Sequence, residues 1–306
     1  MFEIVFLGTS ASAPSIQRGL SAQMVLHNEY RFLIDCGEGT QRQMLKSGLG
    51  FKRLDRILIT HGHLDHILGL GGLVSTFSRW EAVEHLEIYA GTWALARVKD
   101  LLLGVVLRGA KSSMQIDFIP LEPGVIFQGD SFDLRAFPVS HRGPDCFGFA
   151  FQEKARRPFL VEQAEALGVP AGPERKKLVD GQSITLPGGQ TITPEQVLGD
   201  VIPGAKLVFV GDAARTDNLM SEVQCADLLV IEATYLEREA EMAHQFGHLT
   251  AARAARLAAE AGVNEACLTH ISRRYHDSEI LAEAQAEFPA VHVARDFDRL
   301  KVAKAK

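Results

Sequence analysis

Residues 60–66 hold a dense set of potential metal ligands. His61, His63, Asp65 and His66 bring three imidazoles and one carboxylate into this segment. These are the groups that zinc and similar divalent ions select as ligands. Without a cation, four such groups this close together would repel or desolvate one another. The segment therefore predicts a metal site in preference to a polar turn with incidental histidines.

Three further ligand-type residues come at, or just after, the ends of apolar runs that are typical of strands. They are His141, Asp212 and His270. A single histidine at a strand end is more often part of a hydrogen-bonded structure than a ligand. Three such residues, together with the motif, favour one shared site, because α/β proteins place ligands at the ends of strands.

Seven candidate ligands point to two metal ions. One zinc ion takes about four ligands, and Asp212 is the natural bridge because a carboxylate has two oxygens. The predicted sets are His61, His63, His141 and Asp212 for one ion, and Asp65, His66, His270 and Asp212 for the other. Two ions about 3.5–4 Å apart lower the pKa of a bridging water and stabilise the oxygens of an in-line displacement. This chemistry predicts a hydrolase, with phosphodiesters as especially suitable substrates.

The hydrophobic pattern predicts the strands and helices that hold these side chains in place. Short apolar, β-branched runs predict strands, and longer periodic segments predict helices. Predicted strands cover residues 2–8, 22–27, 31–36, 55–60, 86–90, 206–210, 227–231 and 265–269, and residues 116–151 are strand-rich. Predicted helices cover 38–47, 92–107, 249–261 and 278–287, the last with Ser278 as N-cap, and others begin at Thr216 and Thr234. The alternation of predicted strands and helices along the chain indicates an α/β fold.

Residues 152–199 differ from the rest of the chain in composition and in hydrophobic pattern. Their apolar periodicity is weak, and prolines and glycines are frequent. These residues break helices and strands and favour turns. The segment predicts an insertion or arm with a little helix, a hairpin and little core of its own.

Length and composition limit the class of protein. The 306 residues are 46% hydrophobic and 23% charged, which fits one large soluble domain with an insertion. No apolar run is long enough for a membrane span, and no signal peptide is recognisable, so we expect a cytoplasmic protein with no membrane partner. The four cysteines are scattered and are expected to be reduced core residues. The net charge of −6 does not indicate a polyanion partner, so RNA binding would depend on local basic clusters.

Several segments resemble the metallo-β-lactamase superfamily and, within it, the ribonuclease Z family. The order and spacing of the seven candidate ligands carry the wider resemblance. The narrower one rests on residues 6–10 (Phe-Leu-Gly-Thr-Ser), 33–41 (Leu-Ile-Asp-Cys-Gly-Glu-Gly-Thr-Gln), 231–234 (Ile-Glu-Ala-Thr), 247–250 (Gly-His-Leu-Thr) and 270–275 (His-Ile-Ser-Arg-Arg-Tyr). Residues 167–173 in the insertion are similar to the family's tRNA-gripping arm. The resemblance therefore covers nearly the whole chain.

The resemblance implies a fold and an activity. The fold is an αββα sandwich (α/β, or α+β), in which two mixed sheets face each other with helices outside. Residues 1–306 would form a single domain of this kind, with 152–199 as an inserted tRNA-binding arm. The implied activity is an endoribonuclease that removes the 3′ trailer from precursor tRNA. A hydroxide held by two zinc ions per subunit would attack phosphorus and leave a 3′-hydroxyl on the tRNA; manganese or cobalt could replace zinc.

The resemblance also implies roles for individual residues. Asp65 would bind metal and orient the attacking hydroxide, and His248, oriented by Glu232, would donate a proton to the leaving 3′ side. A histidine of near-neutral pKa beside a carboxylate is a usable general acid. Asp35 would orient ligand histidines without binding metal. The expected substrate-binding residues are Ser272 and Arg274 near the scissile phosphate, and Arg175, Lys176 and Lys177 on the arm. A homodimer is implied as well.

Two segments depart from the family pattern. Leu64 stands where the family commonly has glycine. In the loop that the resemblance links to the CCA end of tRNA, Pro14 and Arg18 match the family, whereas Ile16 and Gly19 do not.

Two alternative functions remain open at the level of sequence. The first is another di-zinc hydrolase on the same scaffold, such as a small-molecule phosphodiesterase, an arylsulfatase or a lactonase. The insertion and the Glu232–His248 pair favour RNA over these substrates. The second is a non-catalytic RNA-binding member, against which the presence of all seven candidate ligands argues.

Overall fold

The strands form two seven-stranded sheets and one hairpin in the computed structural model, which describes residues 1–80, 83–109 and 114–304. The strands are β1 (Phe2–Gly8), β2 (Ala22–His27), β3 (Tyr30–Ile34), β4 (Arg56–Leu58), β5 (His85–Ala90), β6 (Gln115–Pro120), β7 (Gly124–Gln128), β8 (Phe132–Pro138), β9 (Phe147–Glu153), β10 (Ile184–Thr185), β11 (Thr191–Ile192), β12 (Lys206–Val210), β13 (Leu228–Glu232), β14 (Ala266–Thr269), β15 (Val291–Val293) and β16 (Arg299–Val302).

The helices follow the same chain order. They are α1 (Thr40–Lys46), α2 (Leu64–Ile67), α3 (Gly69–Trp80), α4 (Thr92–Leu101), α5 (Val161–Ala166), α6 (Pro173–Val179), α7 (Pro194–Val197), α8 (Met220–Val223), α9 (Ala240–Phe246), α10 (Ala251–Glu260) and α11 (Asp277–Glu287). A π-helical turn (Leu102–Val106) continues α4, and a 3₁₀ turn (Glu237–Glu239) precedes α9. Within the described ranges, no helix has the length and apolar content needed to cross a membrane.

Both large sheets are mixed. The first has the order β16-β1-β2-β3-β4-β5-β6, and its strands from β3 to β6 run parallel. The second has the order β15-β14-β13-β12-β9-β8-β7, with β12 to β15 parallel. The connections between parallel strands carry α-helices, as parallel pairing requires.

Alternating side chains divide the core of the larger unit into three apolar layers. Phe2, Ile4 and Phe6 of β1 share a buried cluster with Phe149 and Phe209 of the second sheet, so this cluster lies between the sheets. The residues that alternate with them in β1 join a second cluster with the helices α1, α3 and α4. A third cluster packs the outer side of the second sheet against α8 to α11. The period of two along each strand therefore produces the predicted αββα sandwich.

The chain divides into two compact units. The larger comprises residues 1–152 and 205–306, and the smaller comprises residues 153–204, where the sequence predicted an insertion at 152–199. The smaller unit contains the short helices α5 to α7 and the hairpin β10–β11. It has a small apolar core, formed by Ala164, Val169, Leu178, Ile184, Ile192 and Val197.

Several local predictions were wrong. Ser278 is not the N-cap of the last helix: α11 begins at Asp277 with His276 as N-cap, because the Glu279 carboxylate accepts from the His276 N–H at 3.0 Å. No α-helix begins at Thr234, whose hydroxyl is used inside the site, and α9 starts at Ala240. Cys225 is exposed, whereas the other three cysteines are buried as expected.

Candidate metal centre

Strand β4 and the short helix α2 deliver the side chains of the 61–66 motif. After β4 the chain bends at Thr60, whose N–H donates to Asp35 Oδ1 at 2.8 Å. His63 is the extended N-cap of α2. The turn of α2 then brings Asp65 and His66 back toward the histidines that precede it. Sequence neighbours therefore reach one place through a strand end and a single helical turn.

The first predicted ligand set converges in the structure. One ligand atom from each of His61, His63, His141 and Asp212 lies within 4.8 Å of the others. Asp212 Oδ2 is 3.6 Å from His61 Nε2 and 3.6 Å from His141 Nε2. His63 Nδ1 lies 3.3 Å from His141 Nε2. The four atoms thus face a common point, although they come from loops that follow strands of both sheets.

The second predicted set converges on the other oxygen of the same carboxylate. Asp212 Oδ1 is 3.6 Å from His66 Nε2 and 3.4 Å from His270 Nε2. Asp65 Oδ2 lies 3.6 Å and 3.5 Å from the same two nitrogens. Asp212 therefore contributes one oxygen to each set, which is the geometry expected of a bridging ligand.

Three atoms of the second set have the character of metal ligands. His66 Nε2, His270 Nε2 and Asp212 Oδ1 are buried, and none finds a hydrogen-bond partner within the described part of the chain. A buried polar atom without a partner costs about 1–3 kcal/mol. A cation among these three atoms removes that cost, so this donor set fits a divalent metal.

Hydrogen bonds on the far side of each ring fix which nitrogen faces the cluster. His141 Nδ1 donates to the Gly247 carbonyl at 2.7 Å, and His66 Nδ1 donates to Asp35 Oδ2 at 2.7 Å. His270 Nδ1 donates to Thr234 Oγ1 at 2.9 Å. With the proton on Nδ1, each Nε2 directs its lone pair toward the cluster, as metal-binding histidines require.

Backbone strain accompanies the site at two positions. Asp35 and His270 have φ values of 57° and 56°, in the left-handed region that non-glycine residues rarely adopt. The two carboxylate oxygens of Asp35 accept hydrogen bonds from the buried residues Thr60 and His66. Such strain persists only where surrounding contacts enforce it, and it is common at functional sites.

The electrostatics of the first set favour neutral imidazoles. Burial lowers the pKa of His61 well below its usual range, lowers that of His63 to about 4, and also lowers that of His141. Burial would raise the pKa of Asp212, but the neighbouring imidazoles of His270, His66 and His61 hold it well below its usual value. Neutral imidazole and ionised carboxylate are the forms that bind metal.

The second set stabilises positive charge. Burial opposes a charge on His66, yet Asp212, Asp35 and Asp65 raise its pKa well above the ordinary value. Burial also opposes ionisation of Asp65, but His66 and His270 lower its pKa. The carboxylates around this point therefore attract a cation, and a divalent metal would supply that charge.

Glu232 organises a neighbouring group around His248. It is fully buried, and its Oε1 accepts from the Ala213 N–H at 2.7 Å and from His248 Nδ1 at 3.0 Å. Its Oε2 accepts from the Thr234 hydroxyl. Burial lowers the pKa of His248, but Glu232 outweighs this effect and raises it to about 9. His248 Nδ1 lies 3.9 Å from Asp212 Oδ2.

The structure distributes the remaining predicted residues over different surroundings. Ser272, two residues after His270 in the sequence, lines a cavity of about 850 Å³. Arg274 Nη1 lies 3.5 Å from Glu239 Oε1. In α6 of the smaller unit, Arg175 is directed inward and donates to the Val169 carbonyl at 3.2 Å, whereas Lys176 and Lys177 are exposed.

Sequence reasoning missed several groups that orient the candidate ligands. Thr234 links Glu232 to His270, and Thr60 links Asp35 to His61. The Ser12 N–H donates to Asp65 Oδ2 at 3.0 Å. Thr234 and Thr60 lie within motifs that had been recognised, so their positions gave a signal, whereas a backbone donor such as that of Ser12 gives none.

Comparisons with known proteins agree with this geometry. Residues 2–157 match the family described as anti-Pycsar protein Apyc1, and residues 175–271 match the beta-lactamase superfamily domain. A ribonuclease Z of Bradyrhizobium sp. (strain ORS 278) is 49% identical over 302 residues, which cover 99% of this chain and 100% of the relative. A ribonuclease Z of Archaeoglobus fulgidus is 39% identical and covers 99% of this chain and 98% of its own.

The chain belongs to the ribonuclease Z family. A crystal structure of human tRNase Z, short form, superposes with a TM-score of 0.70 and 26% identity, over 99% of this chain and 100% of that one. The metallo-β-lactamase fold predicted from the sequence is therefore confirmed. For this ribonuclease Z family member, the fold and the His/Asp cluster together mark a divalent-metal site.

Proposed function

We propose that this chain is a metal-dependent endoribonuclease that removes the 3′ trailer from precursor tRNA. Family membership over the full length carries the proposal, since relatives named ribonuclease Z align with 99% of the chain. The convergence of the other six candidate ligands around Asp212 supports it independently. Hydrolysis of a phosphodiester is one of the reactions that two metal ions held by such a donor set would serve.

We propose two zinc ions as the cofactors, held by the two sets that share Asp212. Bound there, divalent ions lower the pKa of water and offset negative charge on a phosphodiester. Asp65 Oδ2 receives a hydrogen bond from the Ser12 N–H, which fixes the carboxylate toward the second set. Asp65 is thus placed to orient the attacking water as well as to bind metal.

His248 is the proposed proton donor to the leaving 3′-oxygen of the tRNA. Its Nδ1 is engaged by Glu232, so the proton available for transfer is on Nε2. Proton transfer of this kind contributes about 10²–10⁴-fold to a rate. Glu232 is a positioning residue, because it also holds the backbone beside Asp212 through the Ala213 N–H.

We propose that the smaller unit binds tRNA and that the protein is a homodimer. Lys176 and Lys177 are exposed cations on α6 that could contact phosphates without base specificity. Exposed apolar side chains at Leu68, Leu103 and Val105 of the larger unit are candidates for an interface between subunits. Analytical ultracentrifugation would measure the oligomeric state, and cell fractionation would test the predicted cytoplasmic location.

A cleavage assay with three substrates tests the proposed function. The substrates are a 3′-extended precursor tRNA, the same precursor with an encoded CCA, and bis(p-nitrophenyl) phosphate. We expect metal-dependent release of the trailer and a 3′-hydroxyl on the tRNA product. Hydrolysis of the small phosphodiester with no cleavage of either precursor would instead favour a small-molecule hydrolase, and tight tRNA binding without any cleavage would favour a non-catalytic member.

A further inference from the structure

Trp93 lies against one of the candidate metal ligands. It is the second residue of α4 and is half-buried. Its indole meets the His63 ring edge to face, with the centroids 6.0 Å apart and the planes at 88°. The Arg97 guanidinium, one helical turn further along α4, lies 5.2 Å from the indole centroid. The indole is therefore held from its own helix and directed at His63.

Two glycines make room for this indole. A Cβ at Gly62 would lie 2.9 Å from both Cε3 and Cζ3 of Trp93, a distance that real contacts do not reach. A Cβ at Gly143 would lie 3.3 Å from Cζ3, and Gly143 has a φ of 118° that favours glycine. The close fit of Trp93 thus depends on the absence of side chains at both positions.

The two glycines belong to ligand loops that come from different sheets. Gly62 lies between His61 and His63, after β4 of the first sheet, and Gly143 lies two residues after His141, after β8 of the second. The start of α4 also holds the second loop through the Thr92 hydroxyl, which donates to Asp145 Oδ2 at 2.5 Å. Trp93 therefore contacts both loops that supply the three histidines of the first set.

We propose that Trp93 is a positioning residue that keeps the two ligand loops together, so that His61, His63 and His141 converge on one metal ion. Residues that support metal ligands from outside typically contribute 10–100-fold to metal affinity. The inference rests on the proposed metal centre. It concerns the ion of the first set, because Trp93 touches neither His66 nor His270 among the ring contacts that the described residues make.

Zinc affinity is the direct measurement. We expect Trp93→Phe and Trp93→Ala to weaken one of two zinc-binding steps about 10–100-fold in competition with a chromophoric chelator, and to leave the other step within about twofold. Trp80→Phe is the matched control, since Trp80 is 67% exposed at the end of α3. The zinc-induced rise in Tm should shrink in the Trp93 variants by more than any fall in the Tm of the metal-free protein.

Tryptophan emission provides a second readout, because it reports when the metal site beside Trp93 fills. The chain has two tryptophans, so Trp80→Phe leaves only the indole beside His63. We expect zinc to change the emission of Trp80→Phe at the same concentration at which the first set fills. The Trp93→Phe variant, which retains only Trp80, should show no such change.

The outcomes separate this inference from the proposed function. If both Trp93 variants bind two zinc ions as tightly as the wild type, the inference is wrong, even where the wild type cleaves precursor tRNA. Equal losses of Tm with and without zinc would also overturn it, since they indicate a role in folding alone. If Trp93→Ala fails to fold, the affinity of Trp93→Phe decides. A wild-type protein that binds no divalent metal would overturn the proposed function and this inference together.

Discussion

Asp212 places one carboxylate oxygen in each of the two candidate ligand sets. Its side chain is buried, and its ionised form is stabilised by the imidazoles around it. The exposed Asp117 beside His85 is neither buried nor shared between two sets of candidate ligands. Removing the Asp212 carboxylate should therefore affect metal binding and cleavage much more than removing the Asp117 carboxylate.

We predict that Asp212→Ala lowers the metal content from two ions per chain toward none and reduces cleavage of precursor tRNA. Loss of several kcal/mol of charge stabilisation corresponds to roughly 10³-fold in rate. Elemental analysis of the dialysed protein and single-turnover cleavage measure the two effects. Asp117→Ala is the control, because Asp117 forms a surface pair with His85 at 2.8 Å and both side chains are 45% exposed. A variant at Asp212 that retains two ions would contradict the bridging assignment.

We predict that His248→Ala lowers kcat by about 10²–10⁴-fold while the metal content stays unchanged. His248 lies close enough to Asp212 and His270 to be a ligand, but its Nδ1 is committed to Glu232. Metal content separates a proton donor from a ligand, since only the loss of a ligand releases an ion. His292→Ala serves as the control, because His292 pairs with Glu265 at 2.7 Å on the surface.

At the scale of elements, α6 of the smaller unit carries the predicted tRNA-binding cations. Arg175 is used within the unit, where its guanidinium lies 5.7 Å from the Phe159 ring, so its loss would disturb that unit as well as any contact with RNA. Lys176 pairs with the exposed Asp180, and such a surface pair contributes about 0.3–0.5 kcal/mol. The two lysines are therefore the cleaner test.

We expect the double substitution Lys176→Glu and Lys177→Glu to raise KM for precursor tRNA and to leave hydrolysis of bis(p-nitrophenyl) phosphate unchanged. Each lost phosphate contact should also reduce the slope of log affinity against log salt by about one. Lys301→Glu on β16 is an exposed control in the larger unit. An unchanged KM and salt slope would remove α6 from the proposed tRNA-binding surface.

The loop that precedes β2 is anchored to the start of α11 by an ion pair. Arg18 Nη2 donates to Asp277 Oδ1 at 2.7 Å, and the Arg18 side chain is only 11% exposed. Burial would raise the pKa of Asp277, but hydrogen bonds and charge from Arg18 and Arg295 outweigh it and lower the pKa below its usual value. The Ser12 N–H of the same loop donates to Asp65 Oδ2. The ion pair between Arg18 and Asp277 therefore helps to hold a group that orients a candidate metal ligand.

We predict that Asp277→Asn lowers the free energy of unfolding at pH 7 by about 1.5 kcal/mol, a value typical of a hydrogen bond to a charged group. Because the folded pKa lies below the unfolded one, this stabilisation is present above the unfolded pKa and is lost as pH falls through the folded value. The difference between wild type and variant should therefore shrink between about pH 4 and the acid limit. Urea unfolding at several pH values measures it, and a pH-independent difference would contradict the ionic origin.

At the scale of the whole molecule, the candidate site takes its ligands from loops that follow strands of both sheets. Metal binding should therefore stabilise the entire sandwich, because ions bound only to the folded state add free energy by mass action. At 100 times the dissociation constant, one ion adds about 2.7 kcal/mol.

We predict that EDTA lowers the Tm of the wild-type protein by several degrees and that zinc restores it. A loss of about 1 kcal/mol shifts Tm by about 2–4 °C in a domain of roughly this size. Differential scanning calorimetry gives both values. Asp212→Ala should already have a low Tm that EDTA does not change further. A wild-type Tm that is indifferent to EDTA would count against a metal bridge between the sheets.

The sequence by itself determined which residue types stand at the strand ends and which fold must hold them. The seven candidate ligands follow four apolar runs, and that pattern is local, so the histidines and aspartates could be recognised before any coordinates. The layered sandwich was implied by the family resemblance, and the structure places alternate side chains of β1 in two buried clusters. The sequence pattern gave the wrong N-cap for α11. It indicated Ser278, whereas His276 is the N-cap because its N–H donates to the Glu279 carboxylate.

Only the tertiary structure decided which atoms face one another across the sheets. The Gly247 carbonyl fixes the tautomer of His141 from 106 residues away, and Thr234 does the same for His270. The packing of Trp93 between Gly62 and Gly143 likewise joins three distant segments. Sequence spacing cannot encode such contacts, because they depend on how two sheets and a helix pack, and packing is settled by the fold as a whole.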